Sequence, residues 1–92
     1  MLTLETTAQF RKDYKRVKKR GCNMALLEEV IDALLAGNTL DERLRDHPLS
    51  GRLAAFRECH IQPDWLLMYR IDSGRLVLVA VRTGTHSDLF DE

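Results

Sequence analysis

At 92 residues the chain has room for one domain with one modest core, since folding at this size buries only a little over roughly 60% of the surface that the unfolded chain exposes. A second catalytic domain and a large cofactor cleft are excluded, so an enzyme of this length works on a macromolecule docked against its surface. The net charge of zero, from 14 Lys/Arg and 14 Asp/Glu, conceals an asymmetry: residues 1 to 20 hold seven bases against two acids, which leaves seven against twelve for the remainder.

Met1 to Leu4 alternates weakly and predicts a short strand. Thr6 or Thr7 can then cap a helix that runs to Arg20 and stops at Gly21. Phe10, Tyr14 and Val17 form its narrow core stripe. Around them Arg11, Lys12, Lys15, Arg16, Lys18, Lys19 and Arg20 fan across the opposite face. Such a cluster offers counterion-release affinity for a phosphate backbone, and by itself is equally readable as a solvated face.

Asn23 can cap a second helix, with Leu26, Leu27, Val30, Ile31, Leu34 and Leu35 at helical spacing and Gly37 as its stop. The short joint between the helices predicts an antiparallel pair whose apolar faces need a sheet to cover. Asn38 to Gly51 reads as a polar connection with a helical turn around Asp41 to Leu44. Leu53 to Ile61, Trp65 to Asp72 and Arg75 to Arg82 read as three sequential antiparallel strands, the last two joined by a tight Ser73-Gly74 hairpin. The expected architecture is α+β, a two-helix hairpin packed on a small, mainly antiparallel sheet in the order β-α-α-β-β-β, spanning 1–92 as one domain with the other sheet face free to bind.

All three histidines, His47, His60 and His86, fall in the strand-rich half. Imidazole ionises near neutrality, so three of them alongside guanidinium groups point to proton transfer at an anionic substrate. Their spacings of 13 and 26 residues match none of the compact zinc patterns, and the expectation is no metal and no cofactor. Cys22 and Cys59 are expected to be reduced. The longest apolar run, Leu76 to Val81, is far too short to span a bilayer, and with no room for a secretory signal before Glu5 the expected compartment is the cytoplasm, without membrane contact.

Four ordered motifs carry a resemblance: Asp46-His47-Pro48-Leu49 followed by Gly51, Arg57-Glu58-Cys59-His60-Ile61, Pro63-Asp64-Trp65, and Arg82-Thr83-Gly84-Thr85-His86 ending in Leu89-Phe90. Together they resemble the YafQ branch of the RelE superfamily, small ribosome-dependent mRNA-cleaving toxins of bacterial toxin–antitoxin pairs. The resemblance implies a 70S ribosome carrying mRNA as the working partner and a cognate antitoxin, of ribbon-helix-helix type, as the inhibitor. It also implies that the histidine of the RTGTH motif is central to catalysis and that Phe90 belongs to the active-site rim.

Cleaving RNA without metal requires a base for the ribose 2′-hydroxyl, an acid for the leaving 5′-oxygen and cations for the phosphate. His86 is the expected acid. His60 oriented by Asp64 is a candidate base, with His47 as rival or helper, and Arg82 is the candidate phosphate clamp. Arg57 and Arg70 are weaker candidates, and alternation places Arg57 opposite His60, in a surface salt bridge. Phe90 can stack on a base, whereas Trp65 reads as core. The sequence departs from the founding members of the superfamily, which rely more on Lys, Arg and Tyr, and it ends in an acidic Asp91-Glu92 pair. The competing reading on the same scaffold is a non-catalytic, ParE-like inhibitor of DNA gyrase, which has no need of His60, Asp64, Arg82 and His86 together.

Overall fold

The computed structural model describes residues 1–90, so the Asp91-Glu92 pair lies outside the described residues. Strand β1, Thr3–Thr6, leads into helix α1, Ala8–Lys19, where the Thr7 hydroxyl accepts the Phe10 N–H at 2.9 Å and satisfies a donor that the first turn leaves free. Asn23 caps helix α2, Met24–Leu35, in the same way, its side chain accepting from the Ala25 N–H. Strands β2, His47–Pro48, β3, Arg57–Gln62, β4, Trp65–Asp72, and β5, Val77–Gly84, follow, and a short helix α3, His86–Phe90, ends the described chain.

The five strands form one sheet in the order β1-β5-β4-β3-β2, antiparallel throughout except for the parallel pairing of β1 with β5. The expected α+β class and strand sequence are therefore observed, with differences at the ends. Strand β1 starts at Thr3 rather than Met1, and the connection contributes a two-residue edge strand, β2, that its polar composition hides. Leu53 belongs to a 3-10 turn, Gly51–Leu53, so β3 begins four residues later than expected. The β4–β5 turn is wider than Ser73-Gly74 suggests: Asp72 pairs with Val77, the Arg75 N–H donates to Asp72 Oδ1, and Leu76 sits at φ 55 to close the loop. As expected, Glu42–Leu44 makes a single 3-10 turn.

The core lies between the helices and one face of the sheet. Phe10 and Val17 of α1 and Leu27, Val30, Ile31 and Leu34 of α2 pack with Cys59, Ile61, Trp65, Leu67, Tyr69, Leu78 and Ala80. Trp65 is core, as its strand context predicts, and its indole N–H donates to the buried Thr83 hydroxyl at 3.0 Å.

A charge sits inside this apolar frame. Asp13 occupies the inward stripe of α1 with its side chain fully enclosed, and it accepts from Arg82 Nε at 2.9 Å, Arg82 Nη2 at 3.1 Å, the Thr83 N–H at 3.2 Å, Arg16 at 3.0 Å and Gln9 at 3.0 Å. Strand β1 pairs with β5 only as far as Ala80, so beyond that point the Asp13 carboxylate stands in for a neighbouring strand. Burial pushes its pKa up, but the hydrogen bonds from Arg82, Gln9 and Thr83 outweigh that and leave it below the ordinary value.

Removing one member of an enclosed ion pair leaves the other uncompensated. Asp13→Asn is therefore expected to cost roughly 2 to 3 kcal/mol in urea unfolding, below the range for fully buried pairs because Arg82 retains 25% exposure. The contribution of a carboxylate with a depressed folded pKa is present above its unfolded value, near 3.8, and is lost as pH falls through the folded value. The stability gap between wild type and Asp13→Asn should accordingly shrink below about pH 4; a gap that is small at neutral pH and independent of pH would contradict this role.

Candidate active site

Strand pairing places the chemistry on the sheet face opposite the core. His47 lies opposite Glu58, Glu58 opposite Met68, and Met68 opposite Arg82; in the next row His60 lies opposite Leu66 and Leu66 opposite Gly84. Directly opposed residues share a face. The intervening row of Cys59, Leu67 and Thr83 points into the core. A bulge at Val81 makes this possible, because continuous alternation from Leu78 and Ala80 would have sent Arg82 inward and Thr83 outward.

The three imidazoles form a line. Ring centroids are 6.3 Å apart between His47 and His60, and 5.7 Å apart between His60 and His86. Glu58 is buried between the first two, its Oε1 3.5 Å from His47 Nε2 and 3.6 Å from His60 Nε2, while its Oε2 is enclosed without a hydrogen-bond partner. Nδ1 of His47 faces the Pro48 carbonyl at 3.1 Å, and Nδ1 of His60 faces the Pro63 carbonyl at 3.3 Å.

Asp64 does not orient His60. The turn Pro63-Asp64 projects its carboxylate toward α3, where Oδ1 accepts from His86 Nδ1 at 2.8 Å and from the His86 N–H at 3.2 Å. The hydrogen bonds from the His86 side chain and backbone hold the Asp64 pKa below its ordinary value. The expected carboxylate–imidazole pair exists, but it belongs to His86, because the rigid hairpin turn aims across the sheet end rather than back along its own strand.

The position of His86 follows from a reciprocal cap. The Thr85 hydroxyl accepts the Asp88 N–H at 3.1 Å, while Asp88 Oδ2 accepts the Thr85 N–H at 2.9 Å, and this starts α3 at His86. Gly84 permits the approach: at φ +150 it adopts a backbone that side chains avoid, and a Cβ there would lie 2.7 Å from Asp88 Oδ2 and 2.9 Å from Asp88 Cβ. Arg20 then grips the same carboxylate, with Nη1 2.6 Å from Oδ2 and Nη2 3.2 Å from Oδ1. This fork from Arg20, with burial opposing it, depresses the Asp88 pKa strongly.

Two expectations need correction on geometric grounds. Arg82 is not a free phosphate fork, because Nε and Nη2 are committed to Asp13 and Nη2 also reaches the Asp88 carbonyl at 3.3 Å. The basic helix is not a uniform charged face either. Arg11 donates to Thr6, Arg16 is bound to Asp13 and lies 3.8 Å from Asp88, and Arg20 is bound to Asp88, whereas Lys12, Lys15, Lys18 and Lys19 are exposed with no salt bridge among the described residues. Arg57 behaves as its alternation predicts, with Nε 3.3 Å from Asp46, an acid that also accepts from the Tyr69 hydroxyl. Phe90 is half-buried at the last turn of α3, four residues beyond His86. Cys59 is no nucleophile: burial, then Asp46 and Glu58, push its thiol up to about 12.

Glu58 and Asp13 are the residues that sequence reasoning missed. Asp13 carried a signal, being the one acid among the six bases of its helix and standing three residues after Phe10 and four before Val17, on the core stripe. Glu58 became visible only through strand pairing.

Gly84→Ala is expected to leave the core packing in place but to lower the melting temperature through backbone strain at φ +150, while displacing Asp88 and α3. The measurement is the His86 imidazole resonances by NMR, which should shift or broaden while those of core methyls stay in place. Unchanged His86 signals would show that Gly84 does not govern its placement.

The chain matches, over residues 2–91, the family model described as a bacterial toxin of type II toxin–antitoxin system, YafQ. It is 38% identical over 89 residues to the mRNA interferase toxin YafQ of Escherichia coli strain K12, covering 95% of this chain and 94% of that protein. The crystal structure of the Escherichia coli DinJ–YafQ complex superposes with a TM-score of 0.89 at 34% identity, covering 98% of this chain and 99% of that one. A metal-bound toxin from Helicobacter pylori superposes with a TM-score of 0.93 at 46% identity, covering 98% of this chain and all of that one. With a family model spanning nearly its whole length and solved toxins that superpose at TM-scores of 0.89 and 0.93, the chain belongs to the YafQ family of bacterial toxins of type II toxin–antitoxin systems.

Proposed function

We propose that the chain is an endoribonuclease, an mRNA interferase that enters the ribosome and cuts translated mRNA by acid–base attack of a ribose 2′-hydroxyl on the adjacent phosphodiester. The observation that carries this reading is the line of three imidazoles with His86 locked against Asp64. His60, with the Glu58 carboxylate behind its Nε2, removes the 2′-hydroxyl proton; the oxygen attacks phosphorus, and the P–O5′ bond breaks. His86, its Nδ1 fixed on Asp64, delivers a proton from Nε2 to the departing 5′-oxygen, leaving a 2′,3′-cyclic phosphate on one fragment and a 5′-hydroxyl on the other.

His47 lies on the far side of His60, where it can steady the phosphate or share the proton through Glu58. Arg82 contributes charge through the nitrogen not engaged by Asp13, so its part is positioning more than bidentate grip. Phe90 stacks on a base at the rim, a contact worth about 1 to 3 kcal/mol. Lys12, Lys15, Lys18 and Lys19 supply affinity for rRNA, and the ribosome itself orients the message, which lowers the demand on the protein's own substrate contacts. Inhibition by a cognate antitoxin of ribbon-helix-helix type completes the proposal; the Escherichia coli relative is solved in complex with DinJ. No described helix is long and apolar enough to cross a membrane.

Replacing His86 with Gln retains a group of similar reach but removes the proton donor, so single-turnover cleavage on a programmed ribosome should fall about 10²- to 10⁴-fold with ribosome binding intact. A rate within a few-fold of wild type would remove His86 from the mechanism. Induction without a partner should leave cut mRNA; broken DNA with intact mRNA would instead support gyrase poisoning.

Charge reversal at Lys15, Lys18 and Lys19 should weaken ribosome binding and flatten its dependence on salt, because three counterion-releasing contacts are lost. Identical binding curves at every salt concentration would reduce these lysines to a solvated face.

A further inference from the structure

Strand β2 is held to its neighbour by little backbone. It has two residues, paired as His47 with Glu58 and Pro48 with Arg57, and Pro48 has no N–H to donate to that ladder. The chain approaches it through Arg45, whose φ of 48 is a left-handed backbone that a long side chain rarely adopts and keeps only where its surroundings fix it. The His47 ring does not anchor the strand either. It is 47% exposed, its Nδ1 meets the carbonyl of the next residue, and its Nε2 lies 3.5 Å from Glu58.

The anchor is Asp46, between Arg45 and His47. Its Oδ1 accepts the Tyr69 hydroxyl at 2.5 Å and Arg57 Nε at 3.3 Å, so one partly buried carboxylate is bound both to a phenol rooted in the core and to the partner strand. Pro48 pairs with Arg57 and Arg57 with Tyr69, which puts these three on the core side of the sheet. Asp46 joins them there. Because successive side chains of an extended chain point to opposite sides, His47 is then directed onto the face that carries Glu58 and His60, and a slip of one residue would reverse the arrangement. Burial, and then the Asp46 hydrogen bond, hold the Tyr69 phenol well above its usual value, so it remains a donor through the neutral range.

We infer that Asp46 is the positioning residue of His47: its bonds to Tyr69 and Arg57 set the register of β2 and with it the place of the imidazole in the site. Only the kinetic consequence rests on the cleavage reading above. The placement of the ring can be measured without RNA, so the two can fail separately.

In NMR spectra of the full chain, Asp46→Ala should shift or broaden the His47 imidazole resonances while those of His86 and the core methyls stay in place. Tyr69→Phe, which keeps the buried ring and removes the hydroxyl alone, should move the same His47 resonances. Asp46→Asn, whose amide oxygen can accept the same two bonds, should leave them near wild type. Single-turnover cleavage on a programmed ribosome should fall about ten- to a hundredfold in Asp46→Ala, the scale expected when a group at the site is displaced by about 1 Å. It should fall equally in His47→Ala and no further in the double variant. His47 signals unchanged in both Asp46→Ala and Tyr69→Phe would overturn the placement. Losses that multiply in the double variant, or an Asp46→Asn as impaired as Asp46→Ala, would overturn the positioning role, since Asp46 would then act through stability or through its charge.

Discussion

The buried carboxylate of Asp13 is the constraint on which the active end of the molecule depends. It ties α1 to the last residues of β5 where β1 has already ended, taking two nitrogens of Arg82 and the Thr83 N–H. Arg82 in turn reaches the Asp88 carbonyl, and Arg16 and Arg20 of the same helix hold the Asp88 side chain. Asp88 caps α3 and thereby fixes where His86 starts. A set of charge-assisted bonds thus runs from the helix interior to the cap of α3, the helix that begins at His86. Such bonds are about twice as strong as neutral ones, and they suit an element too short to hold itself.

The sheet supplies the other half of the site through irregularities rather than regular pairing. The register skip at Val81 turns Arg82 onto the functional face and Thr83 into the core, and the two-residue strand at His47–Pro48 delivers a histidine beside Glu58. Loops alone would place these groups less precisely; set on strands of a packed sheet, they inherit its rigidity. His86 is the exception, on a short helix whose position rests on polar contacts.

The helices were legible because Thr7, Asn23 and the apolar stripes of α1 and α2 obey local rules, and the central strands because Trp65 to Asp72 and Val77 to Val81 are continuous runs of strand-forming residues. Strand β2 was hidden, since two residues carry no periodicity, and α3 was hidden because Thr85 and Asp88 cap a helix of only five residues. Among the candidate site residues, His47, His60 and His86 do converge. The pairing of Asp64 with His86 instead of His60 is a tertiary fact, decided by the direction of one hairpin turn. Arg82 and the arginines of α1 were misread for one common reason: a basic residue announces its charge in the sequence but not its partner, and the partners here, Asp13 and Asp88, lie 69 and 68 positions away from Arg82 and Arg20 respectively.

In the proposed chemistry these imidazoles act on a ribose 2′-hydroxyl within mRNA. The most direct test is a programmed ribosome carrying an mRNA whose nucleotide 5′ of the cut bears a single 2′-deoxy substitution. Attack by the 2′-hydroxyl requires that no cleavage occur at that position, with toxin binding unaltered and cutting of the unmodified message intact. Cleavage of the deoxy-substituted bond at a comparable rate would contradict it, because the nucleophile would then have to come from elsewhere.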